Sequence, residues 1–300
     1  MKQAIIYIQL QNDLHSCFWS SLKKTREHWD GEIILVAPQR ELSWPQLREH
    51  DVTFVSEELF ENDPLVLRYN ELSFFNKIHK GWNGFWDNAC KRFMYMYLVQ
   101  KKFNIDSCLH IETDVVPYMS LNAVMDICSK MFAGKIVFSK HAPYQISCCT
   151  VYSGLVDATL TFCNAILEYF QRGHEWFLNK YKGQTIINET HFAYTFCEEN
   201  KDVIDLFPTM PGEKNHNELG FLVDPTAWGM YVDGLHRNPG KSFASQYHYI
   251  GEKILTEHYD LFFKLNGKKI SYPYVYDIVN NKLCQLATLH FNSKRSELWI

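Results

Sequence analysis

Two carboxylates stand one residue apart at the end of an apolar run. Cys108-Leu109-His110-Ile111 leads into Glu112-Thr113-Asp114, and Val115-Val116 follows. Carboxylates at the tip of a buried strand are costly unless something offsets them. Residues two apart on a strand point the same way, so both acids are expected to face one cleft. Such oxygen ligands suit a hard divalent cation, which in turn would bridge a diphosphate. The same triplet would also serve as a solvated acidic turn. His110 is read as a packed or hydrogen-bonded core residue rather than a ligand.

The elements that must position these acids begin at the N-terminus. Ala4 to Leu10 is a short β-branched run, the pattern of a strand buried on both faces. A helix is expected from about Leu14 to Trp29, with apolar positions such as Phe18 and Leu22 at helical spacing. Gly31 breaks it. Glu32 to Ala37 reads as a second strand ended by Pro38, and Val52 to Val55 as a third. This β-α-β-β order indicates a parallel, Rossmann-like half. The absence of a GxGxxG fingerprint argues against a dinucleotide. Asn83 to Phe103 is expected to be one helix with Trp86, Ala89, Phe93, Tyr97 and Leu98 inward. Ile136 to Ser139 reads as a strand, Val156 to Phe170 as an amphipathic helix, and a further helix starts near Asn188. Residues 207 to 220 carry the Pro, Gly and Asn of a loop. No linker is strong enough to divide the chain. The expectation is one compact α/β domain over residues 1–300, with an N-terminal half to about 118 and an elaborated C-terminal half from about 119.

Three hundred residues suffice to bury a full core. A formal net charge of -4 advertises no surface for nucleic acid or an anionic membrane. The nine cysteines show no metal-ligand spacing, and an odd number without a signal-peptide pattern fits free thiols in a reducing compartment. No run of 18 uncharged apolar residues is present, so no transmembrane helix is expected and a soluble, cytoplasmic protein is.

With these residues placed, the sequence resembles the GT-A class of nucleotide-sugar-dependent glycosyltransferases. In particular it is similar to a bacterial and viral group whose strand reads His-x-Glu-x-Asp. LHIETDVVPY stands where that group has LHIEND followed by valine. Arg92-Phe93 falls where the group has a basic residue before the triplet. Asn188-Glu189-Thr190 resembles a segment of the form Asn-acid-Met-Thr. Asp224 to Tyr231, DPTAWGMY, resembles Asp-x-Ala-Ala-x-Gly-Gln-Tyr, and Leu289 to Lys294, LHFNSK, resembles Leu-His-x-His-Ser-Lys. Thr113, Met230 and Asn292 depart from the pattern. The correspondence runs from about residue 4 to 294.

The resemblance implies a GT-A-like fold: a Rossmann-like mixed central sheet flanked by helices, its first half binding a nucleotide and its second a sugar and an acceptor. It implies Asp114 and His290 as metal ligands with Glu112 beside them, the cation being Mn2+ or Mg2+. Lys294 would meet the β-phosphate, Arg92 the nucleotide, and Gln9 and Gln11 the base. An ordinary exposed lysine or arginine, or a polar strand end, would explain the last four equally. Glu189 is the candidate base for the acceptor hydroxyl. A helix N-terminus favours a carboxylate there in any case, with Asn188 as the cap. Asp224 competes with it, holding sugar or acceptor hydroxyls or capping a helix. The implied reaction moves a hexosyl or pentosyl group from a UDP-sugar, or a GDP-sugar, to a glycan or other hydroxyl, with inversion as the expected outcome. The alternatives are a metal-dependent phosphohydrolase using the same acids on water, and a non-catalytic nucleotide-sugar-binding module.

Overall fold

The apolar runs of β1 and β2, Gln3–Ile8 and Glu32–Ala37, offer almost no polar positions to turn toward water, and both become strands covered on both faces. The computed structural model describes residues 1–10, 13–14, 16–79, 84–231, 249–250, 259–266 and 269–291. In chain order the first elements are β1 (Gln3–Ile8), α1 (Ser16–His28), β2 (Glu32–Ala37), α2 (Pro45–Glu49) and β3 (Val52–Ser56). Helices α3 (Pro64–Leu72), α4 (Phe75–Ile78) and α5 (Phe85–Phe103) lead to β4 (Ser107–Ile111). Then come β5 (Val115–Pro117), α6 (Leu121–Met131), β6 (Ile136–Ala142), β7 (Gln145–Ser153) and α7 (Val156–Arg172). Helices α8 (His174–Lys180) and α9 (Glu189–Glu199), β8 (Ile204–Phe207) and α10 (His216–Leu219) follow. The last described strands are β9 (Tyr259–Asn266), β10 (Lys269–Asp277), β11 (Lys282–Gln285) and β12 (Thr288–His290).

Seven strands form the central sheet in the order β3-β2-β1-β4-β7-β6-β8. β1 is parallel to both β2 and β4, with Ile5 opposite Ile33 and Leu109. β7 runs antiparallel to β4 and β6, so the sheet is mixed. This is the Rossmann-like mixed sheet flanked by helices anticipated from the sequence. The chain builds outward from β1 to β3 and then returns to place β4 on the other side of β1. That reversal opens a crevice at the carboxyl ends of β1 and β4, where open α/β sheets bind ligands.

The pleat sorts β1 into two cores. Ala4, Ile6 and Ile8 pack with Phe93 of α5, Phe162 of α7 and Phe192 of α9. Ile5 and Tyr7 pack on the other face with Phe18 and Leu22 of α1 and Met125 of α6. A third, smaller cluster joins Val116 and Tyr118 to Trp228, Leu286 and Leu289. The antiparallel β5–β12 pair lies in it, apart from the main sheet. The three-stranded β11-β10-β9 sheet leads directly into β12. Helix α5 is buried almost all round, including Asp87, Asn88, Lys91, Arg92 and Gln100. Asp87 pairs with Lys91 at 3.3 Å and accepts hydrogen bonds from Tyr69 and Ser73. Asn104, at φ 52, ends the helix in the left-handed conformation that closes many helices.

Two sequence expectations change, and one strand was not anticipated. The acidic triplet lies beyond β4, in a turn. The 207–220 stretch holds the short α10. β7, a central strand, has no periodic pattern in its sequence QISCCTVYS. Asn83 lies outside the described residues. Among the described residues no helix is long and apolar enough to cross a membrane.

The Ser21 hydroxyl fastens α1 to β5 by donating to the Val115 carbonyl, and it shares a buried network with Tyr7 and Thr25. Ser21→Ala is expected to cost about 1–2 kcal/mol of stability. The urea midpoint should fall with an unchanged slope; an unmoved midpoint would show that β5 is held by its apolar contacts alone.

Candidate active site

The acids converge because the chain turns. β4 ends at Ile111, and the Val115 amide donates to the Glu112 carbonyl at 3.0 Å, closing a turn over Glu112 to Val115. The Glu112 amide still donates to the Cys149 carbonyl of β7 at 2.9 Å. The pleat argument for both carboxylates facing one cleft is therefore corrected: a turn aims them. β5 then pairs with β12 so that Val115 lies opposite His290, and the Phe291 amide donates to the Asp114 carbonyl at 2.9 Å. This ribbon carries His290 back to the triplet across 178 positions of sequence. Its Nε2 lies 3.0 Å from Glu112 Oε2 and 3.2 Å from Asp114 Oδ1. One ligand atom from each of the three residues falls within 4.8 Å of the others.

Behind this cluster Arg92 is buried. Its guanidinium pairs with the other Glu112 oxygen, Oε1, and donates to the Cys148 carbonyl at 3.2 Å. Burial alone would raise the Glu112 carboxyl, but Arg92 and His290 outweigh it and hold it well below the carboxylate range. Burial alone would lower His290. The Asp114 and Glu112 carboxylates outweigh that and raise it well above 6.5. The result is an alternating row of charge: Arg92, Glu112, His290, Asp114. His110 stays out of it. Burial, then Arg92, push its ring down to about 3, and its Nδ1 donates to the Ile6 carbonyl at 3.0 Å.

Glu189 opens α9 directly after the Asn188 cap, whose side chain accepts from the Thr190 amide at 3.2 Å. The carboxyl is buried, and that burial pushes it up from 4.5 to about 7, partly opposed by Arg92. Its Oε2 has no hydrogen-bond partner among the described residues.

Asp224 is fully buried, and both its oxygens are engaged by main chain. Oδ1 accepts from Ala227 and Trp228 at 2.7 and 2.8 Å, and Oδ2 from Gly229 and His290, both at 2.9 Å. Burial raises its carboxyl above 3.8 in spite of those donors. Of the two roles open to Asp224 in the sequence, this geometry is the capping one, extended to the backbone of His290. Four N–H groups leave its oxygens little capacity for a sugar hydroxyl. Gly229 closes the same contact from the other side, since a Cβ there would stand 2.1 Å from the His290 carbonyl oxygen.

Gln9 lies just past β1, and its Oε1 accepts from Thr113 Oγ1 at 3.1 Å. The structure thus brings Glu112, Asp114, His290, Arg92 and Gln9 together, with Glu189 within electrostatic reach of Arg92 and Glu112. Gln11 and Lys294 lie outside the described residues. Sequence reasoning missed the β7 carbonyls of Cys148 and Cys149, and a main-chain role leaves no residue-type signal.

The donor set fits a divalent cation. Two carboxylate oxygens suit Mg2+ or Mn2+, and an imidazole extends the range toward transition metals. A ligating histidine normally donates its second ring nitrogen to a fixed partner. His290 Nδ1 is buried with none among the described residues. The ring is therefore aimed by its Nε2 contacts and by the backbone that Asp224 and Gly229 hold.

No family model and no curated protein matches the chain. Among solved structures it is similar to mouse xyloside xylosyltransferase 1 in its apo form, with 10% identity, 69% of this chain and 86% of that one covered, and a TM-score of 0.48. It is also similar to the PaToxG glycosyltransferase, with 11% identity, 67% and 70% covered, and a TM-score of 0.44. The third is the galactosyltransferase LgtC in complex with donor and acceptor sugar analogues, with 12% identity, 69% and 73% covered, and a TM-score of 0.38.

Two outcomes follow from this geometry. Gly229→Ala should cost about 1–3 kcal/mol through overpacking and displace His290. Melts with and without MnCl2 should show a lower transition and less stabilisation by metal than wild type, whereas wild-type behaviour would mean the close approach is dispensable. A carboxyl held neutral by burial favours folding fully below pH 4.5, and that contribution is lost as pH rises toward 7. In metal-free buffer Glu189→Gln should therefore gain on wild type across pH 4.5 to 7. The gain is on the order of 3 kcal/mol and flat above. A difference independent of pH would show that the Glu189 carboxyl titrates alike in the folded and unfolded chain.

Proposed function

We propose that this chain is a metal-dependent glycosyltransferase with a nucleoside diphosphate sugar as donor, UDP before GDP, and a glycan hydroxyl as acceptor. The observation that carries the reading is the convergence of Glu112, Asp114 and His290 at the carboxyl edge of the sheet, beside the β1/β4 reversal. Asp114 and His290, with Glu112 beside them, would hold Mn2+ or Mg2+, whose charge would neutralise the diphosphate leaving group. Arg92 fixes Glu112 and adds a buried positive charge behind it. Gln9, at the end of β1, is assigned to the nucleotide.

Glu189 is assigned as the base. Its Oε2 would take the proton of the acceptor hydroxyl, and a carboxyl at about 7 is tuned near a neutral working pH. A single base facing the acceptor favours inversion. Asp224 is assigned to positioning His290. A cytoplasmic, reducing location fits an odd number of cysteines without metal-ligand spacing in the sequence.

The reading is tested by a hydrolysis screen across nucleotide sugars, with and without MnCl2, on wild type and Asp114→Ala. One donor should be cleaved only with metal. The variant should lose roughly 100-fold or more in rate while keeping its circular dichroism. If no donor is cleaved and no nucleoside diphosphate raises the melting temperature with metal present, the acidic cluster is structural and the reading falls.

A further inference from the structure

The β4–β7 ladder stops where Ile111 faces Thr150, but the β6–β7 ladder continues to Ala142 opposite Gln145. The five residues Gln145 to Cys149 thus run past the end of β4, a reach of roughly 17 Å at strand rise. The foot of this hairpin is part of the site: Cys148 receives Arg92, and Cys149 receives the Glu112 amide. Its flank is tied to the turn that holds His290. His141 Nδ1 donates to the Pro225 carbonyl at 2.7 Å, and Ser147 Oγ and Thr226 Oγ1 are 2.7 Å apart. The hairpin therefore stands as a wall beside the acidic cluster, on the side of β4 away from β1.

Its tip is aromatic. Pro143 and Tyr144 make the link, and Tyr144 has φ 62. A positive φ after proline is where a type II turn takes glycine or asparagine, and a bulky ring there is strained. Burial does not explain the ring, because 42% of the residue is exposed. It stacks on Tyr181 at 5.1 Å and 29°, and meets Tyr194 edge-on at 5.8 Å. Lys140, on the same hairpin, has its Nζ 4.6 Å from the centre of the Tyr249 ring, which comes from a later part of the chain. A partly exposed ring held at a fixed tilt offers a flat surface of the kind on which the apolar face of a pyranose stacks.

We propose that the tip of the β6–β7 hairpin is a subsite for one ring of an oligosaccharide acceptor, with Tyr144 as its stacking residue. This rests on the transferase reading and deepens it. The donor nucleotide lies on the β1 side of β4 and the acceptor on the β7 side. A ring bound at Tyr144 is remote from the attacking hydroxyl, so the acceptor is an extended saccharide rather than a single sugar. Binding energy gained at that distance serves to orient the reacting end.

The test uses the full chain with maltohexaose, chitohexaose and mannohexaose, read by calorimetry and saturation-transfer NMR. Wild type should bind at least one. Tyr144→Phe keeps the ring and should stay within about threefold in Kd. Tyr144→Gly suits the positive φ, so its melting transition should remain cooperative, yet its Kd should rise about tenfold, the worth of one aromatic contact. Metal-dependent donor hydrolysis should be the same in all three proteins. Failure of every hexasaccharide to bind wild type, or equal binding by Tyr144→Gly, overturns the subsite while leaving any donor cleavage standing. Tyr144-dependent binding without donor cleavage in wild type supports the subsite and removes the transferase reading instead.

Discussion

A guanidinium buried beneath the edge of a sheet must be neutralised where it stands, and in this protein Arg92 imposes that requirement on everything around it. Glu112 answers with one oxygen and turns the other toward His290, which Asp114 also faces. Breaking a buried pair by removing one partner typically costs about 3–5 kcal/mol, because the other charge is left stranded. The acids are thus held at the strand end by the charge behind them, with or without a ligand in front. Glu189 lies within the same field. A carboxyl that shares Arg92 with a stronger acid is left partly unsupported, and burial then raises it.

Main-chain contacts do the rest of the positioning. Asp224 gathers four N–H groups, one from the far ribbon, and Gly229 allows that ribbon to lie against the 224–229 turn. The segments around Asp224 and around His290 are therefore one structural unit.

The legible parts of the sequence were those governed by local rules. β1, β2 and β3 declare themselves as apolar runs, and Asn188 as a cap. The acidic triplet stood out because an apolar run ended on charge. β7 was hidden because its polar residues find partners only after folding: Ser153 with Thr159, and Ser147 with Thr226. Arg92 resembled a surface residue because its counter-charge lies 20 positions away. The roles of Asp224 and Cys148 depend on backbone atoms, which every residue type supplies alike. The GT-A-like resemblance supplied His290, and the β5–β12 register is what places it.

That register has a temporal side. A chain made from its N-terminus can lay down β1 to β4 and close the sheet through β7 and β6 long before residue 290 exists. Contacts between segments so distant in sequence are slow to form, since the intervening chain must be ordered first. The nascent protein therefore holds most of its central sheet and an acid pair without its imidazole through much of the second half of its synthesis. Assembly of the three-residue cluster becomes a closing event, and an incompletely folded molecule carries the two acids alone.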